Sequence, residues 1–224
     1  LGTVVIYLLA MGCFIAILNQ VITGTGIINW NEPVYQCFRS LYTNAVANFA
    51  IVVISFGSPI ILVITAIVIG CWLFFNNYKP AAICWWGTIL VGTGFWHYCK
   101  LSLDIFRPEG LVRPPDGYSF PDGHTLVAIL LYGLIAAFAQ QVLPRYHRWI
   151  IWTILLPVIL LIVFSSLYLE LHWFSDVLGS ITLGIACVTF GLFYYRKFIP
   201  IVVPLKQFII PGLITLLISA SIYN

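Results

Sequence analysis

The chain has 224 residues, of which 62% are hydrophobic and only 8% are charged, whereas roughly 25% of the residues in an ordinary soluble domain are charged. This composition excludes a soluble globular protein. The net charge of +3 comes from scattered basic residues that form no stripe, which excludes nucleic acid as a partner. The six cysteines show no metal-type spacing, and we interpret them as small apolar residues.

Apolar runs between polar breaks predict an all-α, polytopic transmembrane bundle that forms a single domain over residues 1–224. About six spans fit this length, at Val4–Ile22, Pro59–Phe75, Ala81–Lys100, Thr125–Val142, Trp149–Leu167 and Phe174–Tyr195. Phe208–Ile222 is short and follows several prolines, so it is either a seventh span or an interfacial segment. Asn31–Asn48 mixes polar and apolar residues, which predicts an amphipathic helix on the membrane surface.

The start of the chain is unusual because it begins with Leu1 and its only methionine is Met11. We therefore expect that the chain has been trimmed or cut from a longer protein. The first apolar run also lacks a preceding basic region and a small-residue cleavage site, so we do not expect a removed signal peptide.

The alternation of the spans sorts the charged loop residues onto two sides. Basic residues mark the cytoplasmic side, and on one side lie Lys79, Arg145, Arg148, Arg196 and Lys197. The other side holds all seven carboxylates, which are Glu32, Asp104, Glu109, Asp116, Asp122, Glu170 and Asp176. We therefore predict a protein of the plasma (bacterial inner) membrane whose carboxylate-bearing face looks outward, towards the periplasm or exterior.

Three polar clusters are predicted at that outward face, and charges so close to hydrocarbon are often functional. In the first cluster, Lys100 and Arg107 are two helical turns apart, so a continuous helix ended by Pro108 would aim both cations at one anion. The alternative is a pair of cations that snorkel to the interface.

The second and third clusters each contain a histidine. His124 follows the turn formed by Asp122 and Gly123 at a helix start, where backbone N–H groups favour an anion; the alternative is a plain cap with a solvated histidine. His172 and Asp176 are four residues apart, so on one helix the carboxylate would orient the ring as a nucleophile or base. The alternative there is an ordinary polar pair at a helix end.

Together these residues resemble the motif of a known enzyme family. The series K-x6-R-P, P-x-G-H and S-x6-H-x3-D, over about residues 100–176, resembles the three-part motif of the type 2 phosphatidic acid phosphatase family, in its integral membrane lipid phosphatase branch. The resemblance implies a metal-independent phosphatase without cofactors. In it, His172 would be the nucleophile, Asp176 its partner and His124 the general acid and base. Phosphate would be bound by Lys100, Arg107, Gly123 and Ser165, with Arg113 and Asp122 as further candidate ligands.

Two positions depart from the family pattern. Ser166 stands where the third motif usually has an arginine, and Asp122 stands where the second usually has a serine. Four explanations are open. Arg113 could replace the missing guanidinium in the phosphate site, or Asp122 could be protonated or point away as a helix cap. The site could also serve a different acceptor or substrate than is usual in the family, or it could be degenerate, with little activity.

The predicted function is hydrolysis of a phosphate or pyrophosphate monoester on an amphiphile in the bilayer. The classes considered are polyprenyl pyrophosphate, phosphatidylglycerol phosphate, phosphatidic acid and lipid A. Two alternatives remain open at this level, a lipid phosphotransferase that uses the same phosphohistidine, and a catalytically silent transporter or scaffold.

Overall fold

The computed structural model describes residues 2–109, 117–199, 201–212 and 215. Within these ranges the chain forms eight long α-helices, two short 3-10 turns, a further helical stretch at residues 206–212 and no strand. The helices are α1 (Gly2–Thr23), α2 (Asn31–Ser40), α3 (Asn44–Phe56), α4 (Pro59–Phe75), α5 (Lys79–Leu103), α6 (Gly123–Val142), α7 (Arg148–Tyr168) and α8 (Phe174–Phe198).

Helix α6 is the centre of the bundle. It packs against α4, α5, α7 and α8, while α1 packs against α8 and α3 against α7. Most of the α6 side chains are buried, whereas the outer helices expose many large apolar side chains. A helix that is apolar all round can be buried on one face and lie against lipid on the other.

Five of the helical segments are long and apolar enough to cross a membrane: α1, the pair α3 and α4, α6, α7 with its preceding turn, and α8. The sixth predicted span corresponds to α5, which has 25 residues but is not among these five. Four of the five correspond directly to predicted spans. The fifth is longer than predicted, because the apolar residues before Pro59 form α3.

The predicted amphipathic helix Asn31–Asn48 is wrong in its extent. Helix α2 ends at Ser40, and a new helix begins at Asn44 with the Thr43 hydroxyl as its cap, 3.4 Å from the Val46 nitrogen. The break is held by Tyr168 of α7, whose hydroxyl donates to the Leu41 carbonyl (3.1 Å) and accepts from the Thr43 nitrogen (2.8 Å). This contact joins residues about 125 positions apart, so no local pattern predicts it.

Helix α2 itself lies beside the start of α8. The Asn31 amide accepts from the Ser175 nitrogen (2.9 Å) and donates to the Ser175 hydroxyl (3.0 Å). The predicted surface helix therefore exists in shortened form, next to the third polar cluster.

Most of the predicted C-terminal segment Phe208–Ile222 lies outside the described residues. Residues 206–212 are helical, and this stretch is attached to the bundle: Trp72 donates its indole N–H to the Gln207 side chain (2.6 Å), and the Phe208 ring contacts Trp85 and Phe138. The choice between a seventh span and an interfacial segment stays a prediction.

Close packing between α8 and the second polar cluster depends on Gly179. A Cβ atom at this position would lie 2.6 Å from the Phe120 ring, closer than carbon atoms can approach. Phe120 is fully buried and lies two residues before Asp122. We expect Gly179→Ala to lower the free energy of unfolding by about 1–3 kcal/mol, as overpacking typically does.

The matched control is Gly12→Ala in α1, where an added Cβ would meet nothing within 4 Å. Thermal unfolding of both variants in detergent tests the expectation. Equal melting temperatures for the two alanine variants would contradict it.

Candidate active site

The three polar clusters meet at one end of the bundle. His172, Asp122 and Asp176 are buried there, and the His124 ring lies 6.1 Å from the His172 ring, centroid to centroid. The loop before α6, the start of α6, the end of α7 and the start of α8 all contribute. The prediction that these clusters share one face of the membrane bundle therefore agrees with the geometry.

Asp122 caps α6 and lies between the two histidines. One carboxylate oxygen accepts from the His124 backbone nitrogen (2.9 Å), and the other accepts from the hydroxyls of Thr125 (2.5 Å) and Ser166 (3.0 Å). Oδ1 is also 3.4 Å from His172 Nε2 and 3.5 Å from His124 Nδ1. Burial opposes ionisation, but the His172 and His124 interactions and these hydrogen bonds hold the pKa of Asp122 well below its usual range.

The two departures from the family pattern are therefore direct partners, because Ser166 donates to Asp122. The explanation in which Asp122 acts as a helix cap agrees with the contact to His124. The three donors on its oxygens favour the carboxylate over the protonated acid. Both of its side-chain oxygens already accept hydrogen bonds, and its role as a phosphate ligand stays a prediction.

His172 lies in the loop before α8, so the expectation that it shares a helical face with Asp176 is wrong. Asp176 is in the first turn of α8, where its Oδ2 accepts from the Trp173 nitrogen (2.8 Å). This capping contact starts the helix after His172. The distance from His172 Nδ1 to Asp176 Oδ2 is 3.6 Å, longer than a direct hydrogen bond.

Ser119 fills that gap, and sequence reasoning missed it. Its hydroxyl donates to Asp176 Oδ2 and lies 3.3 Å from His172 Nδ1. A histidine whose Nδ1–H donates to a hydroxyl keeps the lone pair on Nε2. The available signal was that Ser119 lies only three residues before Asp122, but nothing local indicates its orientation towards α8.

The Nε2 atom of His172 lies between opposite charges. An Arg107 guanidinium nitrogen is 3.3 Å from it and also donates to the Leu171 carbonyl (3.1 Å). Burial lowers the pKa of His172 and outweighs the opposing effect of Asp122. Because a guanidinium can only donate, its contact with Nε2 is a hydrogen bond when that atom carries a lone pair, the form that the chemistry needs.

Lys100 and Arg107 are not on one helix, contrary to expectation. Helix α5 ends at Leu103 because Asp104 adopts a left-handed conformation (φ 48°). Lys100 donates to the carbonyls of Tyr118 (2.6 Å) and Ser119 (3.1 Å) and so holds the loop that carries Ser119. Only Arg107 contacts a histidine among the described basic residues.

The other predicted site residues have different outcomes. Gly123 is the first residue of α6 and is closely packed, since a Cβ there would lie 2.7 Å from the Trp96 ring. Ser165 is fully buried, and its hydroxyl has no hydrogen-bond partner within the described ranges. Arg113 lies outside the described residues. The phosphate-binding roles of Lys100, Gly123, Ser165 and Arg113 stay predictions.

Comparison with known proteins decides the family. The model of the PAP2 superfamily matches residues 4–200. This chain belongs to the PAP2 superfamily.

A sequence comparison and a structure comparison each match a protein of Bacillus subtilis. The chain is 30% identical over 122 residues to phosphatidylglycerophosphatase B of strain 168, covering 43% of this chain and 60% of the relative. It thus spans about three fifths of that relative's length. The crystal structure of a transmembrane PAP2 type phosphatidylglycerolphosphate phosphatase matches with a TM-score of 0.75 at 20% identity, covering 85% of this chain and 98% of the other.

The structural match confirms the predicted fold class, an all-α transmembrane bundle. The family match confirms the resemblance that the three motifs indicated.

The Ser119 bridge generates a test of positioning. We expect Ser119→Ala to lower kcat by about 10–100-fold with little change in KM, because loss of a group that orients a functional histidine typically costs this much activity. Phosphate release measured over a range of substrate concentrations separates kcat from KM.

Two comparisons control for a general loss of structure. Ser102→Ala changes an exposed serine on α5 and should have no effect. If Ser119 acts through Asp176, the double variant Ser119→Ala/Asp176→Asn should be no slower than Asp176→Asn alone. If the two losses in kcat add in the double variant, Ser119 does not act through Asp176.

Proposed function

We propose that this chain is a membrane lipid phosphatase that hydrolyses a phosphate or pyrophosphate monoester through a phosphohistidine on His172. The observation that carries the proposal is the environment of the two nitrogens of His172. Nδ1 lies close to the Ser119 hydroxyl, which donates to Asp176. Nε2 lies beside Arg107, and Asp122 Oδ1 lies between Nε2 and the His124 ring. This is the arrangement required of a positioned nucleophile with an acid nearby.

The first half-reaction forms the phosphoenzyme. The Nε2 lone pair forms the N–P bond as the bond from phosphorus to the leaving oxygen breaks. His124, in its protonated form, gives a proton to that oxygen. Asp176, acting through Ser119, stabilises the positive charge that develops on the His172 ring, and Arg107 stabilises the phosphoryl oxygens.

The second half-reaction returns the enzyme to its starting state. His124, now neutral, takes a proton from water, the oxygen attacks phosphorus, and the N–P bond breaks with its electron pair returning to Nε2. Every proton transfer uses a side chain that is already part of the cluster. The proposed chemistry requires no metal ion or cofactor.

The proposed substrate is an amphiphile, because the cluster lies at the end of a bundle whose outer surface is apolar. Its head group would enter the site while its tails stay in the bilayer. Polyprenyl pyrophosphate, phosphatidylglycerol phosphate, phosphatidic acid and lipid A phosphates fit this description. The names of the two Bacillus subtilis relatives place phosphatidylglycerol phosphate first in the panel to be tested.

The proposed orientation places the site on the outward face of the plasma membrane. The basic residues Arg145, Arg148, Arg196 and Lys197 lie at the opposite ends of α6, α7 and α8 from the cluster. Excess positive charge in short loops marks the cytoplasmic side, which supports this orientation.

The decisive experiment is phosphate release by the purified protein in detergent from a panel of these lipids, with chelator present. We expect release by the wild-type protein and none by His172→Ala. His147→Ala removes an exposed histidine on the opposite side of the bundle and is the matched control. An active His172→Ala protein would falsify the mechanism, and phosphate transfer to an added lipid acceptor would indicate a phosphotransferase.

The intermediate can be trapped by removing the general acid and base. With a substrate whose leaving group needs no proton, His124→Ala should still form the phosphoenzyme but hydrolyse it slowly, by about 10²–10⁴-fold. We therefore expect radiolabelled, acid-labile phosphoprotein to accumulate in this variant and to be absent from His124→Ala/His172→Ala. Label that persists in the double variant would place the phosphoryl group on another residue.

A further inference from the structure

Three side chains at the centre of the site have the composition of a metal-binding group. The ligand atoms of Asp122, His124 and His172 all lie within 4.8 Å of one another. Two imidazoles with one carboxylate are a familiar ligand set for Zn²⁺ and related ions, in which the fourth position remains open to water or substrate.

Two of the distances within this group, those from Asp122 to each histidine, suit coordination. Asp122 Oδ1 is 3.4 Å from His172 Nε2 and 3.5 Å from His124 Nδ1, whereas N–H···O hydrogen bonds extend to about 3.2 Å. For a tetrahedral ion with bonds of about 2.0–2.1 Å, neighbouring ligand atoms are about 3.3–3.4 Å apart. The carboxylate oxygen thus already has nearly the required separation from both nitrogens.

The ligand atoms can also be released to an ion. His124 Nδ1 is buried and has no hydrogen-bond partner among the described residues. His172 Nε2 contacts only an Arg107 nitrogen at hydrogen-bond distance (3.3 Å) within the same ranges, and that nitrogen also donates to the Leu171 carbonyl (3.1 Å). This nitrogen of Arg107 therefore has an acceptor other than the ring.

Outer contacts already orient the ligands. Hydroxyl groups of Thr125 and Ser166 donate to the Asp122 oxygen that is not shared with the histidines. Ser119 links His172 Nδ1 to the Asp176 carboxylate. Metal-binding histidines characteristically donate their second N–H towards a carboxylate, and the ligating carboxylates are themselves hydrogen-bonded.

The charges around the group are balanced rather than strongly cationic. Asp122 and Asp176 face it with two negative charges, and Arg107 faces it with one positive charge. The Lys100 ammonium, which interacts with both carboxylates and with Arg107, adds a second positive charge. A divalent cation gains from both carboxylates and is opposed by these two basic side chains.

We propose that Asp122, His124 and His172 bind a divalent transition-metal ion of the Zn²⁺ type, and that the bound ion inhibits the enzyme. Inhibition follows because the ion occupies the Nε2 lone pair that attacks phosphorus. This second half rests on the function proposed above, whereas metal binding does not. Asp122 is then the residue that makes the two catalytic histidines a chelating group.

The test begins with direct binding. Protein without a polyhistidine tag is stripped with chelator in detergent and then titrated with Zn²⁺ in competition with a chromogenic chelator. We expect one equivalent to bind. The chain has four histidines, and the control His97→Ala/His147→Ala removes the two exposed ones, so this variant should bind as the wild type does.

Two variants remove ligands from the group. Asp122→Asn keeps the shape and one acceptor oxygen but loses the anionic ligand, and it should weaken binding by more than the roughly 10–100-fold that loss of an outer contact costs. If this buried substitution unfolds the protein, His124→Ala serves instead, because the His124 side chain is 18% exposed. Wild-type affinity in folded Asp122→Asn or His124→Ala protein overturns the site, as does loss of binding in the His97→Ala/His147→Ala control.

Activity separates the two halves of the proposal. Phosphate release by the wild-type protein should fall as Zn²⁺ saturates the site and recover fully with chelator. Saturation without any fall in turnover overturns inhibition. Turnover that requires the ion overturns both inhibition and the metal-independent mechanism. If the protein binds Zn²⁺ but hydrolyses no lipid, the result contradicts only the proposed function and supports the metal site.

Discussion

The buried carboxylate of Asp122 is the constraint on which the site depends. A charge removed from water must be matched by hydrogen bonds or opposite charge, and here the donors to the carboxylate include hydroxyls from two helices. Thr125 of α6 and Ser166 of α7 donate to the side chain, while Ser180 of α8 donates to the backbone carbonyl of the same residue (2.7 Å). Asp122 also caps α6, which begins at Gly123, and so positions His124 in the first turn. One residue therefore connects the three helices around His172.

This constraint also explains why two unusual residues occur together. A carboxylate at position 122 needs a donor from α7, and a serine at position 166 provides one at 3.0 Å. In the sequence they are two separate departures from the family pattern, 44 positions apart, and each makes the predicted phosphate site less cationic. In the structure they are one interaction, in which the hydroxyl stabilises the charge of Asp122 without cancelling it. Neither residue alone would be a sufficient reason to call the site degenerate.

The sequence was a good guide wherever a local signal was enough. Hydropathy located the membrane helices, and their alternation brought the three clusters to one face, because each helix reverses the direction of the chain. It failed where distant contacts decide the outcome. The break at residues 41–43 depends on Tyr168, and the His172–Asp176 pair is completed by Ser119 from a different loop. The end of α5 at Leu103 depends on a single left-handed residue, Asp104, which hydropathy does not report.

The Nε2 atom of His172 lies 3.3 Å from a guanidinium nitrogen of Arg107 and 3.4 Å from Asp122 Oδ1. An anionic ligand at this atom is therefore repelled by Asp122, and a cationic ligand is repelled by Arg107. At a distance of about 5 Å and an effective dielectric constant of ~20, a unit charge interacts with a carboxylate by about 3 kcal/mol. That energy disfavours a phosphoryl anion and favours a cation. A phosphate ester must therefore gain enough from Arg107 and the bilayer to tolerate Asp122, whereas a metal ion gains from Asp122 and must displace Arg107. A single nitrogen between opposite charges is thus open to both kinds of ligand, and substrate binding has to exclude the ion in order to proceed.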